Sequence, residues 1–562
     1  MRNSPKAEPT VIVVGSGAAG LVAALRARQS GASVLLIEKS GELGGTSATS
    51  GGGIWIPCSP LAAGVEGHAD NPAEAFQYIR ALAAGWSDDN LIHAYVEAAP
   101  RMLEWLHAST EIRYAPLPYP DYHLEVAGAK TGYRTHMPAP VDARKRGYTI
   151  RNLRRASPAA SLGGILNWTF EETYALLYRP AGWPATLARM IWRFLSDLPF
   201  RLTSLKDRYW TLGNALVGSL VVAAREAGVE LRTHMALKDL VVRDGRVTGL
   251  VVEGPEGKQT LAADAVILTS GGFERNRTLR AQHMPQVADP RLSGSQINNT
   301  GDSLLAAQEV GAATRGLGAA WWAPVFRVEG EDRARLCTIE RALPGCIMVD
   351  QRGQRFMNEA MSYHRAGEAM MDHAARLEGE ARFWMIFDAR FRRLYPMGAL
   401  YPLIPLALHP AGVRRTVRRA SNLAGLATKT GLPAAALMAT VERFNQAAEA
   451  GQDVDFGRGE SAYDKMYGDA RVSPNPTLGA LARGPFYAVP IHAGDIGTCG
   501  GLATNEVGQV LDDAGAPIGG LYAAGNLAAS VMGGSYPGAG STLGPGMTFA
   551  WLAGRHAAGA AG

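Results

Sequence analysis

The segment that most narrows what this chain can fold into is its first apolar run and the turn behind it. Val11-Ile12-Val13-Val14 leads directly into Gly15-Ser16-Gly17-Ala18-Ala19-Gly20. Such a short β-branched run reads as a strand of a parallel sheet covered on both faces. Glycine at 15 permits the tight turn, and glycine at 17 lets backbone approach a pyrophosphate. Glycine at 20 lets the following helix pack closely on the strand, its N–H groups aimed at the phosphates. A second strand, 33–37, ends at Glu38, 18 residues beyond Gly20. There a carboxylate can accept both ribose hydroxyls of an adenosine, which argues against a 2′-phosphate. The expected class is α/β, with a Rossmann-like dinucleotide-binding domain.

A second glycine-rich stretch follows at once, from Gly44-Gly45-Thr46-Ser47 to Ser50-Gly51-Gly52-Gly53. A diffusible nicotinamide nucleotide needs no such wrapping. FAD does, because backbone has to lie along its pyrophosphate, ribityl chain and ring, so the pattern favours FAD. Residues 240–252 read as a hairpin about Asp244-Gly245, and 263–268 as a strand closed by Thr269-Ser270-Gly271-Gly272. Near the far end, Gly520 to Asn526 is a strand running into glycine, and Gly544-Pro545-Gly546 opens a last helix. Its positive end can face the flavin and stabilise the anionic reduced ring. A length of 562 residues exceeds what one core accommodates. The FAD domain is therefore expected from both chain ends, 1–318 and 498–562, around an α+β substrate domain at 319–497.

Several segments together resemble a known group. They are Gly44-Gly45-Thr46-Ser47, Leu343-Pro344-Gly345-Cys346, Asn358-Glu359, Tyr522-Ala523-Ala524-Gly525-Asn526 and Tyr536-Pro537-Gly538-Ala539-Gly540. They look like the fumarate-reductase-type flavoproteins, specifically the 3-ketosteroid Δ1-dehydrogenases, over nearly the whole chain except about 144–208. The resemblance implies FAD-dependent 1,2-desaturation of a 3-ketosteroid, and it places the family's four chemical positions on Tyr122, Tyr363, Tyr536 and Gly540. Tyr363 would take the carbon-2 proton with Tyr122 hydrogen-bonded to it, while the carbon-1 hydride goes to flavin nitrogen 5. The Tyr536 hydroxyl and Gly540 N–H would form a two-donor oxyanion hole for the 3-keto oxygen, as an enolate requires. A phenol titrates near 10 and is a poor base at neutral pH unless its surroundings lower it. Tyr119 and then Tyr114 are the nearest alternatives to Tyr122.

The expected flavin-binding set is Gly15, Ser16, Gly17, Ala18, Ala19, Gly20, Glu38, Lys39, Gly44, Gly45, Thr46, Ser47, Ser50, Gly51 and Gly52 from the first part. Leu237, Ser270, Gly271, Gly272, Asn299 and Asp302 follow from the middle, and Gly525, Asn526, Ser541 and Leu543 from the end. No histidine lies in Gly44–Ser47, so FAD is expected to be non-covalent, and no metal site is expected.

Rival readings have sequence tests. A dicarboxylate-type flavin reductase needs arginine and histidine to clamp carboxylates, but 525–548 holds no Arg, Lys or His. His492 is the nearest candidate and reads as structural; Cys499 reads as inert packing. The 3-ketosteroid Δ4-(5α)-dehydrogenases place a serine two residues after the last tyrosine, where this chain has Gly538. A flavin-binding protein without turnover is the alternative from another class.

Residues 144–208 depart from the resemblance. They carry 12 Lys or Arg against 4 acids, a net +8 where the whole chain is +5. Leu187, Met190, Ile191, Phe194, Leu195 and Leu198 recur at helical spacing, with Trp168, Trp183 and Trp192 nearby. This reads as an amphipathic helix on an anionic membrane surface, and similar insertions accompany side-chain-bearing steroids such as cholest-4-en-3-one. No nucleic-acid partner is expected. Four scattered cysteines and no secretion signal favour a reducing cytoplasmic setting, with peripheral attachment to the inner membrane face. No iron–sulfur or haem motif is evident, so the external electron acceptor is expected to be a quinone or similar molecule.

Overall fold

The computed structural model describes residues 10–560, except 159 and 163. Thr10–Val14 (β1) is buried along four of its five residues. It turns at Gly15, φ +106°, into helix Ala18–Gln29 (α1), and Ser33–Glu38 (β2) follows. The turn is tight because a Cβ at Gly20 would lie 1.9 Å from the Gly15 carbonyl oxygen. A short helix, Gly45–Thr49 (α2), carries the second glycine stretch.

The sheet is completed from distant parts of the chain. Glu230–Thr233 (β3), Ala236–Arg243 (β4), Arg246–Gly254 (β5) and Ala265–Leu268 (β6) come from the middle. The main path runs β3, β2, β1, β6, then Pro517–Ala523, then β5 and β4. The central neighbours are parallel, with Val14 level with Ile37 on one side and Leu268 on the other. Their C-terminal ends therefore share one edge, where ligands of open α/β sheets bind.

A second, antiparallel sheet is drawn from the middle of the chain. Ala320–Phe326 (β7) and the long Phe486–Thr498 (β8) pair at its centre, with Phe383–Phe387 and Cys346–Val349 beyond. Phe170–Tyr178 (α3) and Trp183–Leu195 (α4) come between β2 and β3 in the chain, and Tyr363–Ala374 (α5) comes between Cys346–Val349 and Phe383–Phe387 and packs on β7 and β8. Pro517–Ala523 (β9) then returns to the first sheet and Leu543–Ala560 (α6) covers it, packing chiefly on α1. No helix among the described residues is long and apolar enough to cross a membrane.

Candidate active site

A cavity of about 1060 Å³ joins the C-terminal edge of the first sheet to the second sheet. One end is lined by Gly15, Ser16, Gly17, Ala18, Ala19, Glu38, Lys39, Gly45, Thr46, Ser47, Ser50, Gly51, Gly52, Leu237, Ser270, Gly271, Asn299, Asp302, Gly525, Asn526 and Leu543. This end fits a dinucleotide on local evidence. A Cβ at Gly45 or Gly51 would meet nothing within 4 Å, so those glycines border open space, and α1 presents its N-terminal amides there. Glu38 is held in place by Ser16, whose amide and hydroxyl donate to Oε2 at 3.1 and 2.6 Å, and by the Ser40 amide on Oε1 at 2.9 Å. Three of about four carboxylate acceptor positions are thus taken. The remaining capacity is on Oε1, which faces the cavity end that fits a nucleotide.

Four expected contacts do not line the cavity. Gly20 serves the strand–helix packing described above. Gly44 is left-handed, φ +110°, and a Cβ there would strike Ala48 and Val217. At Gly272 a Cβ would lie 1.9 Å from Thr498 Oγ1. Ser541 is fully buried and turns its hydroxyl back on Gly538, accepting from its amide and donating to its carbonyl. Its neighbour Thr542 lines the cavity instead. Gln296 and Asn298 also line it; the run Gln296-Ile297-Asn298-Asn299 before a glycine was their available signal.

Further along the same cavity, aromatic side chains converge. The rings of Tyr122, Tyr363 and Tyr536 are mutually packed, with centroids 5.5 Å (Tyr122–Tyr363), 5.7 Å (Tyr122–Tyr536) and 5.4 Å (Tyr363–Tyr536) apart. Tyr363 is the first residue of α5. Tyr122 is tied to the Tyr536 loop because its amide donates to the Pro537 carbonyl at 2.8 Å. Below it, Asp121 accepts from Trp55 Nε1 at 2.8 Å and Arg134 Nη1 at 2.9 Å. Gly540 lines the cavity with Tyr536, whose hydroxyl shares a 3.0 Å hydrogen bond with Thr542 Oγ1. Gly540 has φ +99°, and a Cβ there would lie 2.4 Å from the Ile54 carbonyl carbon.

Burial pushes all three phenols upward. For Tyr363 the neighbouring Tyr536 adds to the rise, and the Tyr122 hydroxyl acts in the opposite sense. That hydroxyl is buried and completes no well-formed hydrogen bond of its own among the described residues. Tyr119 lines the cavity as well, but its hydroxyl is engaged with that of Tyr467 at 2.6 Å. Tyr114 is turned elsewhere, donating to the Gly52 carbonyl. The ring cluster also includes Tyr463, Trp321 and Cys499, whose thiol burial pushes up to about 12. Cys499 is thus not a thiolate at neutral pH. Tyr463 and Tyr467 lie outside any motif read from the sequence, and only the tyrosine spacing in 463–467 hinted at them.

A family profile described as "FAD binding domain" matches residues 10–543. The chain is 38% identical to a 3-oxosteroid 1-dehydrogenase of Mycolicibacterium smegmatis, over 97% of this chain and 96% of that one. It superposes with TM-score 0.92 and 41% identity on the crystal structure of 3-ketosteroid Δ1-dehydrogenase from Sterolibacterium denitrificans in complex with 1,4-androstadiene-3,17-dione, covering 98% of this chain and 100% of that one. The chain belongs to the FAD-binding 3-ketosteroid Δ1-dehydrogenase family. A 4-oxocyclohexanecarboxylate 2-dehydrogenase of Sinomonas cyclohexanicum is 37% identical over 99% of this chain and 94% of that one.

Within this family member, α4 carries the amphipathic face expected of it. That apolar face is covered along one edge only. Leu187 lines the cavity and Met190 is fully buried, whereas Ile191 and Leu195 are exposed and continue into Leu198 and Leu202, the latter 82% exposed. This 13-residue helix therefore leaves part of its apolar face uncovered at the surface. Seven of the twelve basic residues of 144–208 are paired with acids. Arg144, Arg146, Arg154, Arg193, Arg201, Lys206 and Arg208 are all in ion pairs, and Arg193 stacks on Tyr209 as well.

Proposed function

We propose that this chain removes the carbon-1 and carbon-2 hydrogens of a 3-ketosteroid. The observation that carries this reading is the packing of Tyr122, Tyr363 and Tyr536, with the Gly540 amide, in the cavity whose other end fits FAD. Bound FAD supplies the acceptor for the departing hydride. The chain's own groups handle the rest. Tyr536 and Gly540 donate to the ketone oxygen, which acidifies carbon 2 and stabilises the enolate as it forms. Tyr363 accepts the carbon-2 proton, and the Tyr122 hydroxyl donates to the Tyr363 oxygen to favour its anion. The unpartnered state of Tyr122 supports that task, since a buried hydroxyl without a partner costs about 1–3 kcal/mol until one forms.

Two features favour this chemistry over its relatives. At Gly538 a side chain would meet Trp55 Nε1 at 2.6 Å and Asp121 Oδ1 at 3.2 Å, so the serine of the Δ4-(5α) type has no room. Arg179 and Arg335 line the cavity, but Arg335 is paired with Glu331 and Arg179 donates to the Arg393 and Leu394 carbonyls, which suits a lone ketone on an apolar body and not a dicarboxylate. The far end of the cavity is lined by Trp168, Phe170, Leu176, Leu177, Trp183 and Leu187, and by Leu403 and Ile404, which are also exposed. This long apolar extension supports side-chain-bearing substrates such as cholest-4-en-3-one over the smaller cyclohexanone acids. Exposed Trp192, Leu195, Leu198, Leu202 and Leu408 flank that end, which supports peripheral attachment to a bilayer with steroid entering from lipid. An external quinone-type acceptor would reoxidise the flavin.

Anaerobic mixing of the FAD-loaded protein with 4-androstene-3,17-dione, cholest-4-en-3-one, a 5α-3-ketosteroid and succinate tests the assignment. Flavin bleaching by the 4-ene-3-ketones is expected; bleaching by succinate alone refutes it.

A further inference from the structure

His364 follows Tyr363 on α5 and is 1% exposed. Its two ring nitrogens are bound to two different parts of the site. Nδ1 accepts the backbone N–H of Trp322 at 3.1 Å. An amide donates only, so Nδ1 carries no proton and Nε2 carries it. Nε2 lies 3.1 Å from the Gly534 carbonyl, two residues before Tyr536, and 3.2 Å from Glu368 Oε1. The imidazole centroid is 6.1 Å from the Tyr536 ring.

The strand end of this clamp has a structural reason. The register of β7 against β8 slips between Ala320 and Trp322, a bulge of the kind that re-aims a side chain beside an active site. The intervening Trp321 packs its indole edge-on against Tyr536 at 6.1 Å. His364 accepts the Trp322 amide next to that slip. One turn further along α5, a Cβ at Gly367 would lie 2.7 Å from the Ala323 amide nitrogen and Trp322 Cβ. Helix and strand are therefore pressed together, and the imidazole fills the junction.

We infer that His364 is a positioning residue that locks the carriers of Tyr363, Trp321 and Tyr536 into one geometry. It touches no reacting atom and acts through the distance between base and oxyanion donor. This inference rests on the proposed ketosteroid chemistry, so reduction of the unmodified protein by 4-androstene-3,17-dione is measured first; its absence counts against that reading and not against the clamp.

The test compares His364→Phe, which keeps a ring and loses both hydrogen bonds, with His364→Asn, which retains an acceptor near Nδ1, and His364→Gln, which retains a donor near Nε2. A misplacement of about 1 Å costs on the order of a hundredfold in rate. The phenylalanine variant is expected to bind steroid within threefold of the parent by flavin spectral shift, while its flavin-reduction rate per bound FAD falls about a hundredfold. The two amides should restore part of it. A purely structural role would lower FAD loading and Tm yet leave the rate per loaded site intact. A loss of fivefold or more per bound FAD in the soluble variants supports the clamp; a loss below fivefold in all of them overturns it, the amide pair deciding should the phenylalanine variant fail to fold.

Discussion

Gly540 offers the sharpest test of the oxyanion arrangement, because its replacement by alanine changes one methyl group and two physical quantities. Its φ of +99° is strained for any other residue, at about 1–2 kcal/mol. The added Cβ would lie 2.4 Å from the Ile54 carbonyl carbon and 2.6 Å from the Trp55 amide nitrogen. Both are backbone atoms and cannot swing aside, so the 538–540 turn has to withdraw by about half an ångström or more. The Gly540 amide withdraws with it, leaving the Tyr536 hydroxyl as the sole donor to the ketone. Removing one such donor costs about 2.7–4 kcal/mol, or on the order of 10²–10³ in the chemical step. The assay is anaerobic stopped-flow reduction of the flavin by 4-androstene-3,17-dione, with FAD content and Tm recorded, and Gly559→Ala as a control on α6 where a Cβ meets nothing. Tyr536→Phe should cause a comparable loss, and the double variant should lose less than the two losses multiplied, since both donors serve one oxygen. A Gly540→Ala rate within fivefold of the parent, with FAD retained, would refute the two-donor hole.

Four further outcomes are expected. Tyr363→Phe should keep FAD but lower flavin reduction by about 10²–10⁴, the usual worth of a general base; retention of most activity by stopped-flow would place the base elsewhere. Because burial raises Tyr363 and the base must be anionic, kcat/KM should climb with pH from 6 to 9, and a flat profile would exclude a phenolate base. Tyr122→Phe should raise stability by about 1 kcal/mol in thermal melts, since it removes an unpartnered buried hydroxyl, while slowing flavin reduction. The triple change Trp192→Asp, Leu198→Asp, Leu202→Asp should abolish flotation with phosphatidylglycerol liposomes without altering turnover of a detergent-dispersed steroid; unchanged flotation would remove the bilayer proposal.

The nucleotide half was readable because each of its glycines answers a local demand: φ +106° at Gly15 and a 1.9 Å approach at Gly20 are consequences of a strand turning into a helix. Ser541 was less legible. In Gly540-Ser541-Thr542 two adjacent hydroxyls differ only in which way the chain faces, and the turn sends the first back to Gly538. The partial cover of the apolar face of α4 was hidden for a related reason, since periodicity reports apolar spacing but not what lies opposite. His364 and the Tyr463–Tyr467 pair escaped because their partners are backbone groups or rings far away in sequence.

β9 lies in the interior of the first sheet, hydrogen-bonded between β6 and β5, although more than 240 residues separate it from β6. During synthesis the earlier strands must therefore wait with an unpaired inner edge while the whole intervening domain emerges from the ribosome. Such edges invite pairing with other chains. Early expression of this protein should accordingly depend on chaperones that bind the nascent N-terminal half, and nucleotide capture should be a late event, possible only once the last sixty or so residues are free to close the sheet.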